Sequence, residues 1–172
     1  MSLRRVLFSS AVIALLLSGC GFHLRGVQDV AQLPFDSLYV QPVGDFTFDH
    51  DLKRVLASRG GVKLSDSAEG APYQLGGLGE GRSKTLRSID INGKAKEYLL
   101  RYDLNYRVEN KLRVTVKSGT LSLTRTMTYS DNELAGKDLE EQKLYEDMRQ
   151  DAFFQLLHIL GALPAPTVNT AQ

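Results

Sequence analysis

A strict alternation between residues 97 and 109 is the feature that most constrains the fold. Its even-numbered positions are all large apolar or aromatic residues, whereas all but one of its odd-numbered positions carry charged or amide side chains. Alternation of this length predicts an antiparallel β-strand with one buried and one wet face. At about 1.5–3 kcal/mol per buried side chain, the inward face contributes roughly 9–18 kcal/mol before entropy costs, and we expect the helices to cover it. The inward residues are Tyr98, Leu100, Tyr102, Leu104, Tyr106 and Val108.

Turn signals flank this strand on both sides. A preceding strand is expected from Tyr73 to Ile91, and Asn92–Gly93 then predicts a hairpin, because a type I′ turn needs positive φ at both central residues. On the other side, apolar positions resume with the same parity after residue 110, so Glu109–Asn110 is interpreted as a bend or bulge. The next hairpin turn is predicted at Ser118–Gly119, with another strand after it.

The region before this sheet has the pattern of a strand, a helix and a return strand. Apolar and polar residues alternate over Leu38–Gln41, which predicts a short strand ending near Pro42. Thr47 is the expected N-cap of the helix, Gly60–Gly61 ends it, and Val62–Leu64 begins the return strand. The helix itself is predicted from apolar residues spaced i, i+4, i+7 and i+8. These residues are Phe48, Leu52, Val55 and Leu56.

A long terminal helix completes the pattern. Apolar residues recur at near-helical spacing from Leu144 to Leu160, Asp138 and Glu141 fit a capping box, and Gly161 ends the helix. The order of strand, helix, several strands and helix predicts an α+β fold. Specifically, we expect a two-layer sandwich of a mostly antiparallel four- to five-stranded sheet with two helices packed on one face.

The N-terminal segment carries an export signature centred on Cys20, the only cysteine of the chain. The basic pair Arg4–Arg5 precedes an apolar run, Val6–Leu17, which as a helix is about 18 Å long and short for a bilayer core of about 30 Å. Small residues then precede the cysteine. These features indicate a lipoprotein signal peptide over residues 1–19, with Cys20 as the acylated N-terminus. The alternative is a simple secreted signal followed by a buried structural cysteine.

The charge balance and the domain boundaries follow from this processing. Removal of residues 1–19 leaves 19 basic and 20 acidic residues, a formal charge of −1, which argues against a nucleic-acid binder. We assign residues 20–36 to the lipidated N-terminus and a tether, 37–161 to a single α+β domain and 162–172 to a disordered tail. Gly21, in place of the aspartate that retains lipoproteins at the inner membrane, favours the outer membrane.

The residue types that catalysis needs are not arranged in a recognisable site. His23, His50 and His158 have no partner at metal-ligand spacing, and no serine lies in a nucleophile-elbow sequence. We therefore predict no enzymatic activity, no metal site and no cofactor. Four glycines between positions 76 and 81 lack the strand–loop–helix order of a phosphate loop. They are interpreted as a β-bulge or a close backbone approach within a strand.

Basic residues cluster around the turn at Asn92–Gly93. An ordinary soluble hairpin surface is the simplest interpretation of this cluster. The functional alternative is recognition of an anionic ligand such as a lipid phosphate. The basic residues are Arg82, Lys84, Arg87, Lys94 and Lys96, together with Lys137.

Three short motifs together resemble the lipopolysaccharide-assembly lipoprotein family LptE. They are Cys20–Arg25, then Asn92–Gly93 followed by Glu97–Tyr98, and then Ser130–Ala135 before a terminal helix that contains Tyr145. Each motif alone is only moderately specific, but the three occur in the right order and spacing. The match extends from the lipid-attachment sequence to about residue 160, and the layout of two helices on a four-stranded sheet agrees with this family.

The resemblance implies a non-enzymatic role at the outer membrane. Members of the family plug the lumen of the large β-barrel LptD, assist its assembly, and help to deliver lipopolysaccharide to the outer leaflet. Lys137 matches a basic position of the family motif and is the expected ligand for a lipopolysaccharide phosphate. The position before Asn92–Gly93 can be basic in the family but is Ile91 here, so Arg87 or Lys94 is expected to replace it.

Two other functions are kept beside this one. A stand-alone periplasmic lipid carrier or chaperone would need an apolar cavity between sheet and helices. A lipid-anchored hydrolase would need a nucleophile and a base within hydrogen-bond reach of each other in a concave site.

Overall fold

The computed structural model describes residues 33–129 and 134–166 of the chain. The signal peptide, Cys20, His23 and residues 130–133 lie outside these ranges, so what the sequence indicates for them remains a prediction. Neither helix in the described ranges has the length and apolarity that crossing a bilayer requires. In chain order the elements are β1 (Ser37–Val40), α1 (Phe46–Gly60), β2 (Lys63–Ser65), β3 (Tyr73–Ile89), β4 (Ala95–Asn110), β5 (Thr115–Thr128) and α2 (Leu134–Gly161).

The strands form one five-stranded sheet in the order β2-β1-β3-β4-β5. The short strand β1 is parallel to both β2 and β3, whereas the long pairings of β3 with β4 and of β4 with β5 are antiparallel. Both helices contribute to a single core on one face of this sheet, where the rings of Phe48 and Phe153 pack edge to face at 5.2 Å. The predicted α+β fold, with a mostly antiparallel sheet and two helices, is confirmed.

The alternation in β4 corresponds to the two faces of the sheet. Every even-numbered side chain from Leu100 to Val108 is buried, and Tyr98 is half-buried against Tyr129. The odd-numbered side chains point away from the helices. We call the helix side the inner face and the other side the outer face of the sheet.

The caps of α1 agree with the sequence at one end and differ at the other. Gly61 has φ +61° and ends the helix as predicted. The predicted N-cap, Thr47, is wrong, because the helix already begins at Phe46. Asp45 caps it instead, with its carboxylate accepting a hydrogen bond from the Phe48 amide at 3.0 Å. Asp49 reaches back to accept from the amides before the helix, so two carboxylates hold this terminus.

The hairpin between β3 and β4 lies where it was predicted, but its turn is of another type. Gly93 has φ +78°, whereas Asn92 does not have positive φ, so the turn is not type I′. The Gly93 amide donates to the Asp90 carbonyl at 3.1 Å, and the Asp90 amide donates to the Lys94 carbonyl at 2.8 Å. This is a type I turn followed by a left-handed glycine.

The second hairpin was misplaced by the sequence pattern. The chain reverses at Asn110–Val114, where the Arg113 amide donates to the Asn110 carbonyl at 2.9 Å. Arg113, with φ +60°, occupies the left-handed position that Gly93 occupies in the first hairpin. The predicted turn at Ser118–Gly119 is therefore wrong. Gly119 lies within β5 opposite Tyr106, and a Cβ there would be only 3.1 Å from the Tyr106 hydroxyl, so close packing explains this glycine.

Of two further local predictions, one is confirmed and one is wrong. The register of β3 shifts between Gly76 and Gly79, which confirms the bulge in the glycine-rich stretch. The predicted capping box at Asp138 and Glu141 is wrong, because α2 is already helical from Leu134.

Both ends of the described chain pack onto the domain. The ring of Phe35, which had been assigned to the tether, is buried edge to face against Tyr73 at 5.1 Å. Leu163, assigned to the tail, is also buried, and the Tyr73 hydroxyl donates to the Pro164 carbonyl at 2.8 Å. The packed region therefore extends beyond residues 37–161 at both ends, because apolar side chains on each side complete the core around Tyr73.

Candidate binding surfaces

The outer face of the sheet is a broad polar surface that no helix or strand of the described residues covers. Its side chains are hydrogen-bonded to one another, both along β4 and across to β5. Thr120 donates to the Asn105 side chain at 2.6 Å, and Arg101 Nε lies 2.9 and 3.0 Å from the two carboxylate oxygens of Asp103. Ser122 also donates to Asp103. These hydrogen bonds, along β4 and across to β5, fix the polar groups before any partner arrives.

Charge pairing on this face is local and mutually compensating. The hydrogen bond from Arg101, followed by that from Ser122, lowers the pKa of Asp103, and the same carboxylate raises the pKa of Arg101. Further along β4, Arg107 pairs with Glu109 at 2.9 Å. The outer face is thus polar and charged without a large excess of one sign, which suits contact with another polar surface.

A groove of about 510 Å³ runs between β3 and the first half of α2 on the inner side. Lys84 Nζ lies 2.5 Å from Glu141 Oε2 and 4.6 Å from the centre of the Tyr98 ring, and the contact with Glu141 is the main cause that raises the pKa of Lys84. Arg82 lies over the Tyr145 ring at 5.4 Å. The groove is lined by Arg82, Ser83, Lys84, Asp138, Glu141, Gln142 and Tyr145.

The Tyr145 hydroxyl ties the helix to the sheet at this groove by donating to the Ser83 carbonyl at 2.8 Å. Burial is the main cause that raises the pKa of Tyr145, and this phenol is in any case the protonated donor at neutral pH. The groove walls are therefore fixed by a hydrogen bond as well as by the ion pair between Lys84 and Glu141.

The three basic residues selected from the sequence are distributed over different surfaces. Arg87 Nη1 donates to Thr126 Oγ1 at 2.6 Å on the outer face. Lys137 lies on α2, on the inner side, with Nζ 2.7 Å from Glu140 and its side chain 14% exposed. The Lys94 amide donates to the Asp90 carboxylate at 2.9 Å at the end of the hairpin. Arg87 and Lys137 are thus not brought together on one face.

Two residues of the basic cluster that had not been selected, Arg82 and Lys84, lie on the same inner side as Lys137. Their even numbering is the signal that could have identified them. Lys84 pairs with Leu100 and Arg82 with Tyr102, so both share the inner face with those buried residues. Arg87, by contrast, lies within a register shift between Leu86 and Ser88, and Ser88 beyond it faces outward despite its even number.

Catalytic and metal chemistry receives no support from the described residues. His50 and His158 are exposed, and no group of three or more histidine, cysteine or acidic side chains in the described ranges could hold a metal ion. The Tyr102 phenol is a buried titratable group on β4. Burial, followed by its 2.6 Å hydrogen bond to Glu80, raises its pKa well above the ordinary value, which makes it a structural donor rather than a base.

Taken together, the fold and these surfaces define a class of protein: a two-layer α+β domain with a polar sheet face that no element of the described residues covers. A family model described as lipopolysaccharide-assembly, LptE, matches residues 35–158 of the chain. The chain belongs to the LptE family, which confirms the resemblance drawn from its motifs.

Solved structures agree with this assignment. The solution structure of an uncharacterized lipoprotein B from Nitrosomonas europaea is 30% identical, with 83% of this chain and 91% of that chain covered and a TM-score of 0.66. Two crystal structures share the fold at lower identity. The rare lipoprotein B from Shewanella oneidensis is 18% identical, covering 73% of this chain and 94% of its own, with a TM-score of 0.65. A minor lipoprotein from Acinetobacter baumannii is 23% identical, covering 74% and 92%, with a TM-score of 0.60.

Proposed function

We propose that this protein plugs and assists the assembly of an LptD-like outer-membrane β-barrel and helps to deliver lipopolysaccharide to the outer leaflet. Its role is non-enzymatic. Family membership supports the assignment to lipopolysaccharide assembly. The observation that carries the finer proposal is the outer face, which no described element covers and whose polar groups are already paired along β4 and across to β5.

The polar face suits the lumen of a large barrel for a physical reason. The interior of such barrels is lined by polar side chains, so an occupant gains little from apolar surface and much from a pre-ordered polar one. Because the side chains around Asp103 and Asn105 are already hydrogen-bonded, little conformational entropy remains to be lost on docking. The strand β3, with 17 residues, extends over roughly 55 Å and is long enough to reach through a lumen.

Attachment to the membrane depends on acylation of Cys20. With its acyl chains inserted, this residue holds the N-terminus at the periplasmic leaflet of the outer membrane, since more than one acyl chain gives stable anchoring. The domain is then delivered to the barrel from the periplasmic side. Cys20→Ala releases the chain from the membrane if acylation is its only anchor, and insertion into the barrel retains it otherwise.

Lipopolysaccharide phosphates are proposed to pair with Lys137, Arg87 and Lys94. Lysine and arginine bind phosphate by charge-assisted hydrogen bonds. Because Arg87 and Lys137 lie on opposite faces of the sheet, they serve separate contacts along the path of the lipid rather than one closed pocket.

The alternative is a stand-alone periplasmic carrier that binds lipid between the sheet and the helices. This function would need an apolar cavity in the core. Large side chains instead meet across that space, among them Phe48, Phe153 and Tyr102, which are at most 1% exposed. The barrel partner is therefore favoured over the carrier.

Purification from detergent-solubilised outer membranes tests the proposal. We expect the full chain to bring down one large β-barrel protein in equimolar amount. A chain that purifies alone with bound lipid supports the carrier and contradicts the plug.

A further inference from the structure

The β4–β5 hairpin exposes apolar side chains that the fold does not use. Leu112 is 82% exposed and Val114 is 55% exposed, although both lie beside strands whose inner face is well packed. The turn holds them in place, because the Asn110 side chain accepts hydrogen bonds from the Leu112 amide at 2.9 Å and from the Val114 amide at 3.1 Å. A rigid turn therefore presents two aliphatic side chains directly to the surroundings.

Basic residues surround these aliphatic side chains. Lys111, Arg113 and Lys117 are all exposed on the hairpin. The nearby acid, Glu109, is paired with Arg107 at 2.9 Å and lies 3.9 Å from Arg113. The hairpin therefore has a net positive charge around an apolar tip, which is the combination that binds an anionic lipid interface.

The hairpin lies at the end of the domain where the chain leads back towards Cys20. Asn110 pairs with Tyr73, and Tyr73 pairs with Leu38 of β1, so the hairpin is level with the start of that strand. Cys20 lies thirteen positions before Leu33, and an extended chain of that length reaches at most about 45 Å. The first hairpin, at Asp90–Lys94, is at the opposite end of the strands, roughly 50 Å away.

We infer that the β4–β5 hairpin is a second membrane contact, with Leu112 and Val114 in the interface of the anchored leaflet and Lys111, Arg113 and Lys117 on anionic lipid headgroups. This inference rests on the proposed acylation of Cys20 and does not depend on the barrel. The contact fixes the orientation of the domain, because a lipid tether alone leaves it free to rotate. An apolar tip adds binding that salt does not screen, whereas the cations add binding that salt weakens.

The chain contains no tryptophan, which allows a direct test. A single fluorescent reporter is introduced into a fully lipidated chain by Leu112→Trp. The matched control is Ile91→Trp, at the tip of the opposite hairpin. Ile91 is completely exposed, so both sites tolerate the larger ring. The acylated proteins are reconstituted without any barrel into vesicles of phosphatidylethanolamine with about one quarter phosphatidylglycerol, in which brominated lipids quench indole groups that enter the interface.

At position 112 we expect blue-shifted emission and quenching at least about threefold stronger than at position 91. Adding Lys111→Glu and Lys117→Glu to the Leu112→Trp chain should reduce that quenching. Equal quenching at both positions, or an unquenched reporter at position 112, overturns the inference. A chain whose mass shows no acyl group on Cys20 removes its premise and also overturns it. Recovery of the barrel partner is measured separately, so failure here leaves the proposed plug intact.

Discussion

The carboxylate of Asp51 on α1 lies 3.5 Å from the guanidinium of Arg149 on α2, and the two side chains are only 14% and 10% exposed. Arg54 donates to the same carboxylate at 3.0 Å. Arg149 Nε has no hydrogen-bond partner within the described ranges, so this buried cation depends strongly on Asp51. The pair connects the two helices that cover the inner face.

Asp51→Asn should therefore destabilise the domain by about 3 kcal/mol, because it leaves the charge of Arg149 buried without compensation. Urea unfolding followed by circular dichroism measures this change. The control is Arg54→Met, which removes the exposed partner of the same carboxylate and should cost less than about 1 kcal/mol. Equal losses of stability in the two variants would show that the buried contact between Asp51 and Arg149 contributes no more than the exposed one.

Gly119→Ala should destabilise the domain by about 1–2 kcal/mol, because the added Cβ approaches the ring of buried Tyr106 too closely. Gly81→Ala is the matched control on β3. Its Cβ would lie 3.6 Å from Asp103, an ordinary contact, so its effect should be neutral or slightly stabilising. Unfolding midpoints of the two variants provide the comparison, and a harmless Gly119→Ala contradicts the packing explanation for this glycine.

Gly93 and Arg113 occupy equivalent left-handed positions in the two hairpins, so substitutions there should have opposite effects on stability. Arg113→Gly should stabilise the domain by about 1 kcal/mol, because it relieves the cost of a side chain at φ +60°. Gly93→Ala, at φ +78°, should destabilise it by a similar amount, about 1 kcal/mol. Thermal unfolding at neutral pH distinguishes the two signs. The same sign for both changes would contradict the shared turn geometry.

Charge reversal tests the proposed phosphate ligands. Lys137→Glu and Arg87→Glu should each weaken lipopolysaccharide binding by about threefold to tenfold, and their effects should multiply because the two residues lie on opposite faces. Lys143→Glu makes the same charge change on an exposed part of α2 and should leave binding unchanged. Binding is measured by isothermal titration, with circular dichroism as the check of folding. An unaffected double variant would remove these ligand assignments.

Much of the fold followed from periodicity because it reports burial. The even positions from Leu100 to Val108 are buried as expected, and the glycine cap at Gly61 ends α1 where it was placed. Turn geometry was less accessible. Apolar residues keep the same parity across Asn110, and an arginine in the left-handed region gives no local signal, so the hairpin at Asn110–Val114 was missed. The bend or bulge interpreted at Glu109–Asn110 does adjoin a register shift between Val108 and Glu109.

The candidate surfaces were only partly accessible for a related reason. The basic cluster around the first hairpin was visible, but it was treated as one surface, although the even numbers of Arg82 and Lys84 could have separated them from Arg87. The packing of Phe35 and Leu163 at the domain ends was missed because single apolar residues in irregular segments carry no period.

Photo-crosslinking from the centre of the outer face tests most directly the claim that this surface meets the wall of a barrel. A photoreactive amino acid replaces Asn105, whose side chain is exposed between β3 and β5, and cells are illuminated before solubilisation. We predict a single adduct with the same large outer-membrane protein that co-purifies with the chain, mapped by mass spectrometry to its lumen-facing strands. No adduct at Asn105 in a chain that still co-purifies with the barrel protein would contradict the proposed role of the outer face.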